Sequence, residues 1–138
     1  MAESTVALEL EDMQGLLVRG HGTLPAAAYL LLTIKDPLKA RIWLRELIPH
    51  LNRASEKPED FRLHLALTWC GFQAWGAHEF YDRGFLIEFT QGMTAPYRQR
   101  ILGDQEDSAP ANWHWGRNDH DDEKRVDLCL LAYAMSDT

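Results

Sequence analysis

Val126 to Met135 reads VDLCLLAYAM, and it constrains the fold more than any other stretch of this chain. In an extended strand, Val126, Leu128 and Leu130 fall on one side, and Cys129, Leu131, Tyr133 and Met135 on the other. A strand apolar on both sides belongs inside a sheet, with cover above and below and neighbours on either hand. The rest of the chain must supply that sheet.

Two further strands are readable. Tyr29 to Ile34 is a near-continuous apolar run, the mark of a buried strand. Phe61, Leu63, Leu65 and Leu67 alternate with Arg62, His64 and Ala66, the period of a half-buried strand with its polar face toward water. Between them, Asp36-Pro37 starts a helix: the aspartate accepts from the first free amides, and proline gives up only a donor that has no helical partner. Leu38, Ile42, Trp43, Leu47 and Leu51 recur at helical spacing as one buried face, and Pro49 ends or kinks the helix. Leu30, Leu32, Ile42, Trp43, Leu65, Leu67, Leu128 and Leu130 are the expected core.

Thr68 is placed to cap a short helix ending near Gly76, and Phe80 to Thr90 reads as helical. Residues 103–125 are polar, contain Pro110 and show no apolar period; a loop this long in a compact domain usually has a task. Residues 1–12 are acidic and expected to be flexible, leaving one domain over 13–138. Met13 to Val18 reads as a short strand or a docking segment.

The order strand, helix, strand, short helices, long loop, strand fits an α+β, ferredoxin-like fold, with an antiparallel sheet and helices on one face. Against the full β-α-β-β-α-β order, the last helix and strand are missing. The last strand would then stand with an open edge, completed by a second polypeptide, a second copy, or Met13–Val18 folded back.

Charge narrows the partners. A net charge of −7 disfavours nucleic acid and anionic membranes. The longest apolar run, Ala26 to Leu32, is too short to span a bilayer. No secretory leader opens the sequence, and Cys70 and Cys129 sit among apolar residues, as reduced core thiols do; a cytoplasmic protein is expected.

Candidate chemistry is sparse. His114, Asp119, His120, Asp121 and Asp122 gather donors that suit a divalent cation, but their spacing follows neither a zinc nor a calcium-loop pattern, and no metal site is assigned. His21, His50, His64 and His78 read as turn, helix-end or sheet-surface residues. Arg98, Arg100 and Asp104 read as an internal ion-pair set. Trp113 and Trp115 are either interface anchors or a pair packing on the core; with Leu131 and Tyr133 they are the candidate contact residues.

Five phrases carry a resemblance. Phe85 to Gly116 contains F-x-x-E-F-x-x-G-M, R-x-x-x-L-G-D and P-x-x-W-x-W-G. It is joined by Asp12-x-Gln14-Gly15, by YLLLTIKDPLKARIWL from Tyr29, by T-x-x-G-x-x-A-x-G from Thr68 to Gly76, and by VDLCLLAYA from Val126. In this order they resemble the N-terminal part of the DyP-type (dye-decolorising) haem peroxidases. The resemblance implies a ferredoxin-like fold and a chain that stops before the haem-binding half. That family's distal aspartate lies in a Gly-x-x-Asp-Gly phrase, which is absent here, as is the part that holds the proximal histidine and distal arginine. No catalytic or haem-binding residue carries over. The implied protein is part of a split or truncated peroxidase, with haem supplied to a heterodimer by a haem-domain chain. The other readings are a homodimer, or a non-catalytic binding or assembly module.

Overall fold

The computed structural model describes residues 7–57, 60–77, 84–117 and 124–136. Asp36 does what its chemistry suggests: its carboxylate accepts from the Leu38 and Lys39 amides at 3.0 and 3.1 Å, and helix α1 follows over Pro37–Leu47. A 3₁₀ turn at Ile48–His50, with Pro49 inside it, ends the helix. The strands are β1 Ala26–Leu32, β2 Phe61–Leu67 and β3 Leu128–Ala134. Helix α2 spans Trp69–Trp75, α3 Ile87–Gln91 and α4 Pro96–Leu102.

The sheet order is β1-β3-β2, with both pairings antiparallel. The strand that is apolar on both sides is therefore central, as its pattern requires. Directly paired residues share a face. Leu30, Leu130 and Leu65 lie across one face, with Leu32, Leu128 and Leu67 beside them. Helices α1 and α2 cover this face through Ala40, Trp43, Leu44, Leu47, Ala74 and Trp75. Ile34, Leu44, Leu65 and Leu128 form its buried centre. The opposite face carries Tyr29, Leu131 and His64 in one row, and Ala27, Tyr133 and Arg62 in the next.

Several expectations change. Leu30 and Ile42 are not core: they are 45% and 51% exposed, because the edge strand and the outer side of α1 have nothing over them among the described residues. Leu38 is exposed as well, so the buried stripe of α1 runs through Leu44 instead. Leu32, Trp43, Leu67 and Leu130 are half-buried against the core. The supposedly solvent-facing Arg62 and His64 are buried, since residues near His21 fold over that face. The expected helix over Phe80–Thr90 is confined, among described residues, to Ile87–Gln91. Residues 1–6 of the expected flexible N-terminus lie outside the described residues, and residues 10–12 form a 3₁₀ turn. The polar segment from residue 103 contains 3₁₀ turns at Glu106–Ser108 and Pro110–Asn112.

The open edge is not on β3, which has a neighbour on both sides. At the outer edge of β2, side-chain amides stand in for a strand. Gln14 Nε2 donates to the Leu65 carbonyl, and Gln14 Oε1 accepts from the Leu65 amide, both at 2.8 Å. The Asn52 backbone amide donates to the Leu63 carbonyl at 3.0 Å while the Asn52 side-chain Oδ1 accepts from the Leu63 amide at 2.6 Å. Met13–Val18 is accordingly a docking segment, not a strand: Gln14 bridges Arg53, and Gly15–Leu17 is a 3₁₀ turn. Among the described residues, the open edge of the sheet is β1. No described helix is long and apolar enough to cross a membrane.

Candidate functional site

Helix α2 is anchored at its start. Thr68 Oγ1 accepts from the Gly71 amide at 3.1 Å and donates to the Val126 carbonyl at 2.8 Å, so one hydroxyl caps the helix and ties it to the approach of β3. Gly76 ends the helix at φ 75°, where only glycine sits without cost. This geometry turns Trp69 and Phe72 toward Phe85 and Phe89, with ring centroids 5.1 to 6.4 Å apart in edge-to-face and stacked pairs. The aromatic cluster holds α3 against α2.

Beside the cluster opens a cavity of about 470 Å³, lined by Leu67, Trp69, Cys70, Phe89, Met93, Trp113, Trp115 and Arg117 among others. Trp113 is held on its loop by an indole hydrogen bond to the Ser108 carbonyl at 2.8 Å. Trp115 is 59% exposed at the rim. Glu88 also lines the cavity, and it faces Arg98 at 3.8 Å, so Arg98 pairs there and not with Asp104 as its sequence spacing suggests. Burial pushes the Cys70 thiol up, and the neighbouring Asp127 carboxylate pushes it further; at neutral pH it is a thiol, not a nucleophilic thiolate. The wall is apolar and aromatic, suited to holding a flat or hydrophobic group.

Of the candidate contact residues, Trp113 and Trp115 line this cavity together, whereas Leu131 and Tyr133 lie on the sheet face opposite α1 and do not. There Tyr133 belongs to a second cluster that the sequence reading missed. The His21 and His64 rings stack with their Nε2 atoms 2.8 Å apart, and Tyr133 shares its hydroxyl hydrogen bond with Tyr29 at 3.0 Å. His64 is 1% exposed and its Nδ1 has no partner. One Nε2 of the pair carries the proton and the other accepts it, which leaves His64 Nδ1 as the unpaired group. No sequence signal joins two histidines 43 residues apart.

The pair makes stability depend on pH. Burial, then His21, then Arg62 lower the His64 pKa to about 4, and His21 is lowered as well. Each folded-state value lies below the unfolded value near 6.5, so the unfolded chain binds more protons between them. The stabilisation is complete above about pH 6.5 and is lost as pH falls toward about 4. Thermal midpoints should fall between pH 7 and pH 5, and His64→Gln should flatten that slope; equal slopes would contradict the assignment.

No described histidine lines this cavity, but His114 lines an adjoining pocket with Asn112, Trp113 and Trp115. His21 and His64 are spent on each other, His50 and His114 are exposed, and no imidazole is among the residues lining the cavity. No group of three or more metal-binding side chains occurs among them; His120, Asp119, Asp121 and Asp122 lie outside the described residues, as does His78.

No protein-family model matches the chain, and no curated protein does. Among solved structures, a DyP-type peroxidase of Anabaena sp. superposes with a TM-score of 0.71 at 18% identity, over 92% of this chain. The likeness establishes the fold. The chain spans 29% of that peroxidase's length, and the superposed elements are those of a partial ferredoxin-like unit.

Proposed function

We propose that this chain is the ferredoxin-like part of a DyP-type haem peroxidase that works with a second polypeptide, which carries the haem ligands and the peroxide-handling aspartate and arginine. The observation that carries this reading is the fold: nearly the whole chain superposes on a protein described as a DyP-type peroxidase, yet on less than a third of it. The five sequence phrases in the family's order support it independently. In this role the chain contributes scaffold and an aromatic wall, and its partner contributes the redox centre. Cys70 and Cys129 form no disulfide, which supports a reducing, cytoplasmic setting.

The apolar cavity beside Trp113 favours a second reading, a non-catalytic binding or assembly module on the same fold. Co-expression separates the two. With a neighbouring reading frame that carries Gly-x-x-Asp-Gly and a downstream histidine, the split-peroxidase reading expects a co-purifying haem complex and peroxide-dependent dye oxidation that neither chain gives alone. Co-purification without haem or turnover would favour the module, and no association would overturn the split reading.

A further inference from the structure

Arg62 alternates along β2 like a residue bound for water, yet it is only 5% exposed. A guanidinium cannot shed its proton, so burial leaves it charged. A buried charge is costly unless a counter-charge meets it. Among the described residues Arg62 has one hydrogen-bond partner, the Lys57 carbonyl at 2.8 Å, and no carboxylate. Burial and then Arg62 hold the His21 pKa below its ordinary value, as a positive charge with nothing to offset it does. The Arg62 guanidinium lines a pocket of about 60 Å³ together with Arg19, Gly20, His21, Arg53 and Glu56. Arg19 and Arg53 stand at its exposed rim. The Glu56 carboxylate is engaged elsewhere: it accepts from the Arg53 amide at 3.1 Å and from Asn52 Nδ2 at 3.3 Å. Arg53 reaches the Glu11 carboxylate at 3.7 Å with both side chains more than half exposed, a weak pair in water.

We propose that this pocket is an anion site that takes a phosphate group, as the free ion or as the head of a phosphomonoester, with Arg62 in its buried wall and Arg19 and Arg53 at its rim. Charge fits the ligand. The chain carries −7 overall, yet around this pocket three guanidiniums stand against the one carboxylate of Glu56, leaving two positive charges. A phosphate group carries about −1.5 to −2 at neutral pH. Chemistry fits it too, because the planar fork of arginine matches two oxygens of a phosphate at once. Size fits as well. At roughly 10–15 Å³ for each water-sized group, the pocket has room for about four to six of them, which is the size of a phosphate. An organic cofactor is too large, so the body of a phosphomonoester stays outside. A β-carbon on Gly20 would meet nothing within 4 Å, so the space on that side is open. The site is built from this chain's own residues and is independent of any haem partner.

Thermal unfolding in inorganic phosphate, beside sodium chloride at the same ionic strength, tests it. Phosphate at about ten times its dissociation constant should raise the midpoint by about 4 °C, and chloride should not. Arg62→Met removes the charge and keeps most of the volume. It should abolish the phosphate shift and leave the phosphate-free midpoint at or above that of wild type, because an unpaired buried cation does not stabilise a fold. Arg19→Gln guards against misfolding of that variant. Its site is exposed, so the phosphate-free midpoint should stay in place while the phosphate dissociation constant rises about tenfold. Glycerol phosphate separates the two sources. A shift equal to that of inorganic phosphate places the head of a phosphomonoester in the site, and a shift with inorganic phosphate alone places the free ion there; both uphold the proposal. No shift beyond that of chloride, or a shift that survives unchanged in both variants, would overturn it. So would an Arg62→Met midpoint well below wild type in the absence of phosphate, since the guanidinium would then be satisfied within the fold.

Discussion

Gly71→Ala should destabilise the fold by about 3 kcal/mol or more and lower the urea midpoint sharply. Gly71 is the third residue of α2 and is buried where the helix crosses the start of β3. A β-carbon there would stand 2.1 Å from the Asp127 carbonyl oxygen and 2.9 Å from its carbon. Backbone cannot swing aside as a side-chain tip can, and this backbone is tied down. The Asp127 carbonyl accepts from the Thr68 amide at 3.0 Å, and the Asp127 amide donates to the Leu32 carbonyl at 2.9 Å. Relief requires moving α2 off the sheet, which strips cover from Leu65 and Leu128. Overpacking of this severity costs about 3 kcal/mol or more, a large part of the roughly 5–15 kcal/mol that holds a domain together. The urea midpoint reads it. Gly20→Ala is the control, since its added methyl meets nothing within 4 Å and should leave the midpoint in place. A Gly71→Ala midpoint equal to wild type would mean that α2 does not cross β3 this closely.

Asp127→Ala should cost nearly as much by a different route. The Asp127 carboxylate is fully buried, accepts from the Ile34 amide at 2.7 Å, and holds Arg125 through Nε at 2.8 Å and Nη2 at 3.1 Å. It thus joins the turn after β1 to the start of β3. Alanine leaves a core amide unpaired and takes a buried carboxylate away from the Arg125 guanidinium. Breaking one side of a buried pair costs about 3–5 kcal/mol. Asp127→Asn keeps an acceptor for Ile34 but loses the charge, and should fall between alanine and wild type. If alanine and asparagine were equally harmless, the carboxylate would not be the joint between these elements.

What the sequence discloses follows from range. Asp36-Pro37, Thr68 and Gly76 act within one helical turn, and each is where local chemistry puts it. The period of Phe61–Leu67 and the two apolar sides of the final strand give the sheet and its central member. The misplacements are long-range. His64 alternates like a surface residue and is buried because a segment 43 residues away folds over it. Leu30 and Ile42 have core chemistry but occupy an edge strand and an outer helix face. The open edge lies on β1 and not beside the last strand, since periodicity says nothing of order within a sheet. Nor does it reveal that Gln14 and Asn52 imitate a strand along β2. The Trp113–Trp115 phrase is conspicuous as composition; only the fold shows that it lines a cavity with Cys70 and Phe89 and stands apart from Leu131 and Tyr133.

The central proposal is that this chain is the ferredoxin-like part of a DyP-type peroxidase and holds no haem by itself. Titration of the purified chain with haemin, followed in the Soret region and by peroxide-dependent dye oxidation, tests it most directly. The account predicts weak, non-saturating binding with a broad band and no turnover above free haemin. A sharp one-to-one Soret band with dye oxidation from this chain alone would contradict it.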